Sequence, residues 1–200
     1  MENAVKTKTF AQGYSAKKLF LIFVIASIFG ALYEQILNLI TVYFATGTIV
    51  WELRRGVLYG PFSPIYGAGA VLMVYFIARP NYSNLKTFIL GALLGGAFEY
   101  LISLLQEIFT HTVSWDYSNH FLNINGRTTI PFMIVWGLFT LLFVKIIYPF
   151  LSKIIEKIPI KVGTICFYII LILLVADMTV SWTALIRSAL RRNNIEPITP

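Results

Sequence analysis

The sequence predicts an all-α protein, a polytopic transmembrane helix bundle of about five spans, and three observations carry that reading. Hydrophobic residues fill 58% of the 200 positions, charged residues only 12%, and mean hydropathy is +0.75. A soluble domain carries roughly twice that charged fraction. The apolar residues fall into runs long enough to cross a bilayer, and the basic residues sit at the ends of those runs, in the manner of headgroup anchors.

The net charge of +7 does not describe a nucleic-acid surface. Lys17-Lys18, Lys153, Lys157, Lys161 and Arg191-Arg192 flank apolar segments and form no basic stripe interleaved with aromatics. The single cysteine, Cys166, lies in an apolar run and reads as a packing residue.

Taken in order, residues 1–17 are polar and basic, and a first span follows at about 18–47. It is too long for a signal-peptide core and reads as a retained signal anchor. A Trp-, Arg- and Tyr-rich connection at 48–60 leads to a second span at about 61–79, which opens with Pro61 and Pro64. This span is short and contains glycine, so a re-entrant or broken segment is the alternative. The turn at Arg79-Pro80-Asn81 precedes a third span at about 85–110. Residues 111–127 are the longest polar connection, and spans four and five cover about 128–151 and 161–188. One bundle domain over 1–192 is predicted, with a frayed tail at 193–200.

Orientation follows from the Lys and Arg distribution. One side collects Lys6, Lys8, Lys17, Lys18, Arg79, Lys86, Lys145, Lys153, Lys157 and Lys161. The other holds Arg54, Arg55, Arg127, Arg187, Arg191 and Arg192. The expectation is a multi-pass protein of the plasma membrane with a cytoplasmic N-terminus. Five spans put the C-terminus outside; its basic residues argue for a sixth.

An ionisable group within a span is costly and marks a candidate site. Glu34, Glu99, Glu107 and Asp177 lie inside the predicted spans, at or beyond the midplane from the cytoplasmic side. The external connections add Glu52, Arg54, Arg55, Asp116 and Arg127, so charge converges on the outer half. Gly91, Gly95, Glu99, Ser103 and Glu107 recur every four residues, as one helix stripe does. Ser27, Ala31, Glu34, Asn38 and Thr41 form a second stripe, and Asp177, Ser181, Ala184 and Ser188 a third. All three are expected to line one cavity. The alternative is that the acids pair with Arg54, Arg55 and Arg127 and merely fasten loops to the bundle. For Asp177, a local hydrogen bond to Ser181 or Thr179 competes with a site role.

Other constellations are weaker. His111, Asp116 and His120 match no zinc spacing, so no metal site is assigned. Glu99 and Glu107 stand about 12 Å apart along a helix, too far for paired-carboxylate catalysis. No Ser-His-Asp or Cys-His set is present, so no catalytic residue and no cofactor are assigned. Trp115, Asp116 and Arg127 read either as a lid or as a loop pinned by an Asp116–Arg127 ion pair. Arg55, Tyr59 and Tyr66 read either as a substrate-capping hairpin or as an interfacial turn.

Two stretches carry a family likeness: Arg55 through Ala70, RGVLYGPFSPIYGAGA, and Gly91 through Glu99-Tyr100, Glu107, Trp115-Asp116-Tyr117-Ser118 and Asn123-Ile124-Asn125-Gly126-Arg127. Over about residues 20–150 the chain resembles the bacterial membrane family of ABC-transporter type IV permeases. Ser63 stands where the family often has cysteine, and the fifth span lies outside the motifs. The resemblance implies transport. With no G-x-x-x-x-G-K-[ST] P-loop in the chain, an ATPase would be a separate subunit. Motif and charge together make Glu34, Arg55, Tyr59, Tyr66, Glu99, Glu107, Trp115, Asp116, Asn125 and Arg127 the candidate substrate-binding set. The competing functions are an intramembrane enzyme acting on a lipid-like substrate and a non-catalytic accessory subunit of another membrane protein. The expected partners are the lipid bilayer and a separate ATPase subunit or another membrane protein, not nucleic acid.

Overall fold

The computed structural model describes residues 9–49 and 61–192. Helix α1, Ala16–Thr46, starts where the Ser15 side chain accepts the Lys18 N–H and stops at Gly47, whose φ of 70° lets its N–H close onto the Tyr43 carbonyl. Helix α2, Pro64–Ala78, begins on a proline, which gives up no helical hydrogen bond there. Ser83 caps α3, Asn84–Thr110, which ends on His111 in the left-handed conformation. Thr129 caps α4, Ile130–Glu156, by accepting the Phe132 N–H at 3.1 Å. Helix α5 covers Ile160–Arg192.

Four of these helices, α1, α3, α4 and α5 as far as Ser188, are long and apolar enough to cross a membrane; α2 is not. The expected second span is thus corrected to a part-span, in line with the re-entrant alternative. The Ser63 N–H bonds the Ser27 carbonyl at 3.0 Å. Ser27 lies about 16 Å along α1 from its start, so α2 begins part-way along α1 and runs back beside its first half. We call the end of the bundle that holds the start of α1 basal and the opposite end distal.

Small residues allow the close packing. A Cβ on Gly67 would fall 2.2 Å from Ser27 Oγ, and one on Gly30 would fall 2.1 Å from Tyr66 Cγ. Between α3 and α4, Gly91 meets Thr140 and Gly95 meets Trp136. Without a hydrophobic drive in lipid, such backbone approach supplies the dispersion contact that holds helices together.

Two helices widen into a π turn, α2 at Val74–Ala78 and α4 at Phe143–Ile147. Pro80 follows the first and Pro149 the second. Each proline lacks an N–H and its ring crowds the carbonyl four residues back, Phe76 and Lys145, both inside the widened turns. The turns pack together, with Val74, Ile77, Phe143 and Val144 buried in a basal core that also takes in Phe10, Ile22 and Ile155.

The long polar connection between α3 and α4 contains a small antiparallel hairpin. Strand β1, Asn123–Ile124, pairs with β2, Thr128–Thr129, in the register Asn123↔Thr129 and Ile124↔Thr128. Thr128 and Thr129 therefore precede the fourth helix, which starts at Ile130. Cys166 is exposed on α5, contrary to its expected packing role.

Candidate functional site

The distal half of α3 presents its polar stripe to the hairpin. Glu99 accepts the Tyr117 hydroxyl at 3.1 Å and the Thr128 hydroxyl at 2.7 Å. One turn on, buried Ser103 accepts from the Arg127 guanidinium at 3.2 Å, and a further turn on Glu107 forms an ion pair with the same group. Gly91 and Gly95 lie against α4 on the same stripe, so the four-residue spacing reads the α3 interface correctly from end to end.

The hairpin is built to hold this geometry. The Trp115 indole N–H donates to the Arg127 carbonyl at 2.9 Å, and the Tyr117 N–H to the Gly126 carbonyl at 2.7 Å. Asp116 accepts the Ser118 N–H at 2.8 Å and its hydroxyl at 2.6 Å. Those bonds, the hydroxyl first, hold the Asp116 carboxyl below its ordinary range. Asn125 donates to the Tyr100 hydroxyl at 3.0 Å, and the Arg127 guanidinium lies 5.8 Å from the Tyr100 ring. Its hydrogen bond with Glu107 raises Arg127 above its usual value, so it stays charged. The expected Asp116–Arg127 pair is corrected: Arg127 pairs with Glu107 and Asp116 with Ser118.

A second arm comes from α1. The Tyr66 ring fills the space that Gly30 leaves open, meets Tyr33 edge-on at 6.5 Å, and brings its hydroxyl within hydrogen-bonding reach of Glu34. Glu34 and Tyr66 thus join α1 to α2, as Tyr117, Glu99 and Thr128 join the hairpin to α3. Burial, and next the Glu99 charge, raises Tyr117 well above the ordinary phenol range, so it serves as a neutral donor.

Of the predicted residues, Glu34 and Tyr66 meet each other, and Glu99 meets Tyr117 and Thr128. Glu107, Trp115, Asp116, Asn125 and Arg127 instead form the contacts that fold and fasten the hairpin. Arg55 and Tyr59, with Glu52 and Arg54, lie outside the described residues. In the third stripe Asp177 accepts from Ser181 at 3.5 Å, and Ala184 and Ser188 line a groove of about 630 Å³ on distal α5. Sequence reasoning missed Tyr117 and Thr128, though Tyr117 sits inside the WDYS motif. It also missed a basal cluster in which buried Lys18 pairs with Glu156 and donates to Ser152 at 2.8 Å. The i, i+4 spacing of Ser152 and Glu156 was the available signal.

Among the described residues no three His, Cys, Asp or Glu side chains gather as metal ligands do. His111 caps α3, and His120 packs edge-on to Tyr117 at 5.3 Å.

Comparison with curated proteins and with solved structures finds no match. A family model does match, over residues 21–182, reaching beyond the motifs and through most of α5, Asp177 included. The chain belongs to the family described as "Putative ABC-transporter type IV".

Proposed function

We propose that this protein is the membrane component of a transport system and passes a cationic or hydrogen-bond-donating solute through a site lined by Glu34, Tyr66, Glu99, Tyr117 and Thr128. One observation carries the reading: two intramembrane carboxylates are held by neutral hydroxyls, not by cations, among the described residues. Carboxylates in a lipid-bounded bundle are costly, and a passing cation would complete them. Tyr66, the partner of Glu34, stands in the first turn of α2, which begins part-way along α1, and part-helices that start within the membrane recur at transporter sites. In this reading Glu107, Asp116, Asn125, Trp115 and Arg127 close the site without binding the solute. An ATP-driven system would take its ATPase from outside these 200 residues, which hold no P-loop.

Counterflow in proteoliposomes tests the site without the energy source. Sodium, magnesium, spermidine and lysine serve as probes. At least one should exchange in a protein-dependent way, and Glu34→Gln or Glu99→Gln should slow it about tenfold, as expected for loss of a charge-assisted contact. Exchange unchanged in both variants, with each still monodisperse, would remove the site from this location.

A further inference from the structure

At the basal end, the segment before α1 and the last turns of α4 border an open pocket of about 350 Å³ that the transport site does not use. We propose that it binds a phosphate group, the headgroup phosphate of an anionic phospholipid.

Lys18 carries the argument. It is 1% exposed, yet it is among the residues that line the pocket. An ammonium has three N–H donors. Among the described residues one goes to Ser152 Oγ at 2.8 Å and one to Glu156, and a third remains for an occupant. Glu156 is committed elsewhere as well, since the Gly13 N–H also reaches it. Lys153 lies exposed on the rim, so two cations face one carboxylate and the lining is net positive.

The remaining walls are hydroxyls and a ring pair suited to the headgroup layer. Tyr14 and Tyr148 stack at 6.2 Å, and the Tyr148 hydroxyl is within reach of Ser152 and Tyr14. Tyr14 donates to the Ala78 carbonyl at 3.2 Å, which ties the cavity to the end of α2. Lys157 closes α4 and Lys161 lies in the first turn of α5, and Lys17 sits 5.1 Å over the Phe10 ring. Cations clustered at one end of a bundle meet the anionic headgroups of the adjoining leaflet. A pocket within that cluster, with Lys18 and Lys153 in its lining, can take a single phosphate.

The purified protein is titrated in mild detergent with phosphatidylglycerol, phosphatidylcholine or inorganic phosphate, reading the thermal midpoint. Phosphatidylglycerol should raise it and phosphatidylcholine should not. Lys153→Gln should raise the half-saturating phosphatidylglycerol concentration about fivefold, the effect of one cation near the headgroups. The paired change Lys18→Met with Glu156→Gln leaves no orphan charge and should abolish the selective shift; if it does not fold, Lys153→Gln decides alone. A variant-sensitive shift with inorganic phosphate also supports the site and makes a free anion a second occupant. Equal shifts from both lipids, or a phosphatidylglycerol shift that Lys153→Gln leaves unchanged, overturn the proposal.

Discussion

Tyr117 donates its hydroxyl to Glu99 at 3.1 Å while its ring stacks on Phe132 at 4.9 Å, so one side chain joins the hairpin to both α3 and α4. Because the phenol is held above the ordinary value of 10.0, the unfolded chain loses this proton first as pH rises. The stabilisation is therefore complete below about pH 10 and declines above it. Tyr117→Phe keeps the stack and removes the bond. It should cost about 1.5 kcal/mol or more at neutral pH, and the gap between the two melting curves should narrow above pH 10. A constant gap up to pH 11 would count against this hydrogen bond.

Arg127 serves Ser103 and Glu107 with two different nitrogens, a fork that a lysine does not reproduce. Arg127→Ala and Arg127→Lys are both expected to loosen residues 111–129, read as faster amide exchange there with α5 unaffected. Rescue by lysine would mean that charge alone holds the hairpin.

How far the sequence exposes this arrangement depends on the range of each contact. The α3 interface is legible because Gly91, Gly95, Glu99, Ser103 and Glu107 share one face by helical period alone. Ser15 and Ser83 mark helix starts by local capping. Lys18 and Glu156 stand 138 positions apart, and no local pattern announces their meeting. The hairpin is hidden for a different reason. It needs positive φ at Leu122 and Asn125 as well as at Gly126, and leucine carries no such signal. Asp116 looked like the partner of Arg127 because both are loop charges. Ser118, two residues on, satisfies it first.

Glycines at the α3–α4 contact separate packing from propensity. A Cβ on Gly95 would lie 2.5 Å from Trp136 Cβ, whereas one on Gly69 would meet only Phe98 Cε1 at an ordinary 3.6 Å. Gly95→Ala should destabilise by about 1–3 kcal/mol through overpacking. Gly69→Ala should be neutral or stabilising by up to about 1 kcal/mol, since alanine is the better helix former. Thermal midpoints in detergent compare the two directly, and the reverse order would contradict the α3–α4 packing.

Gly126 and Asp116 make the hairpin acid-sensitive in a predictable direction. Gly126 has φ of 67°, and a Cβ there would fall 2.4 Å from Ser118 Oγ, the hydroxyl that Asp116 holds. The Asp116 carboxyl is depressed below its ordinary 3.8. Its stabilising effect is therefore present above that value and is lost as pH falls through the lower, folded one. Exchange at the Ser118 amide should accelerate below about pH 4, beyond the intrinsic pH dependence of exchange. Asp116→Asn should remove that acceleration, because an amide has no proton to gain. Gly126→Ala should open the same turn at every pH by displacing Ser118. Acid acceleration that persists in Asp116→Asn would assign it to another carboxylate, with Glu107 beside Arg127 the next to change.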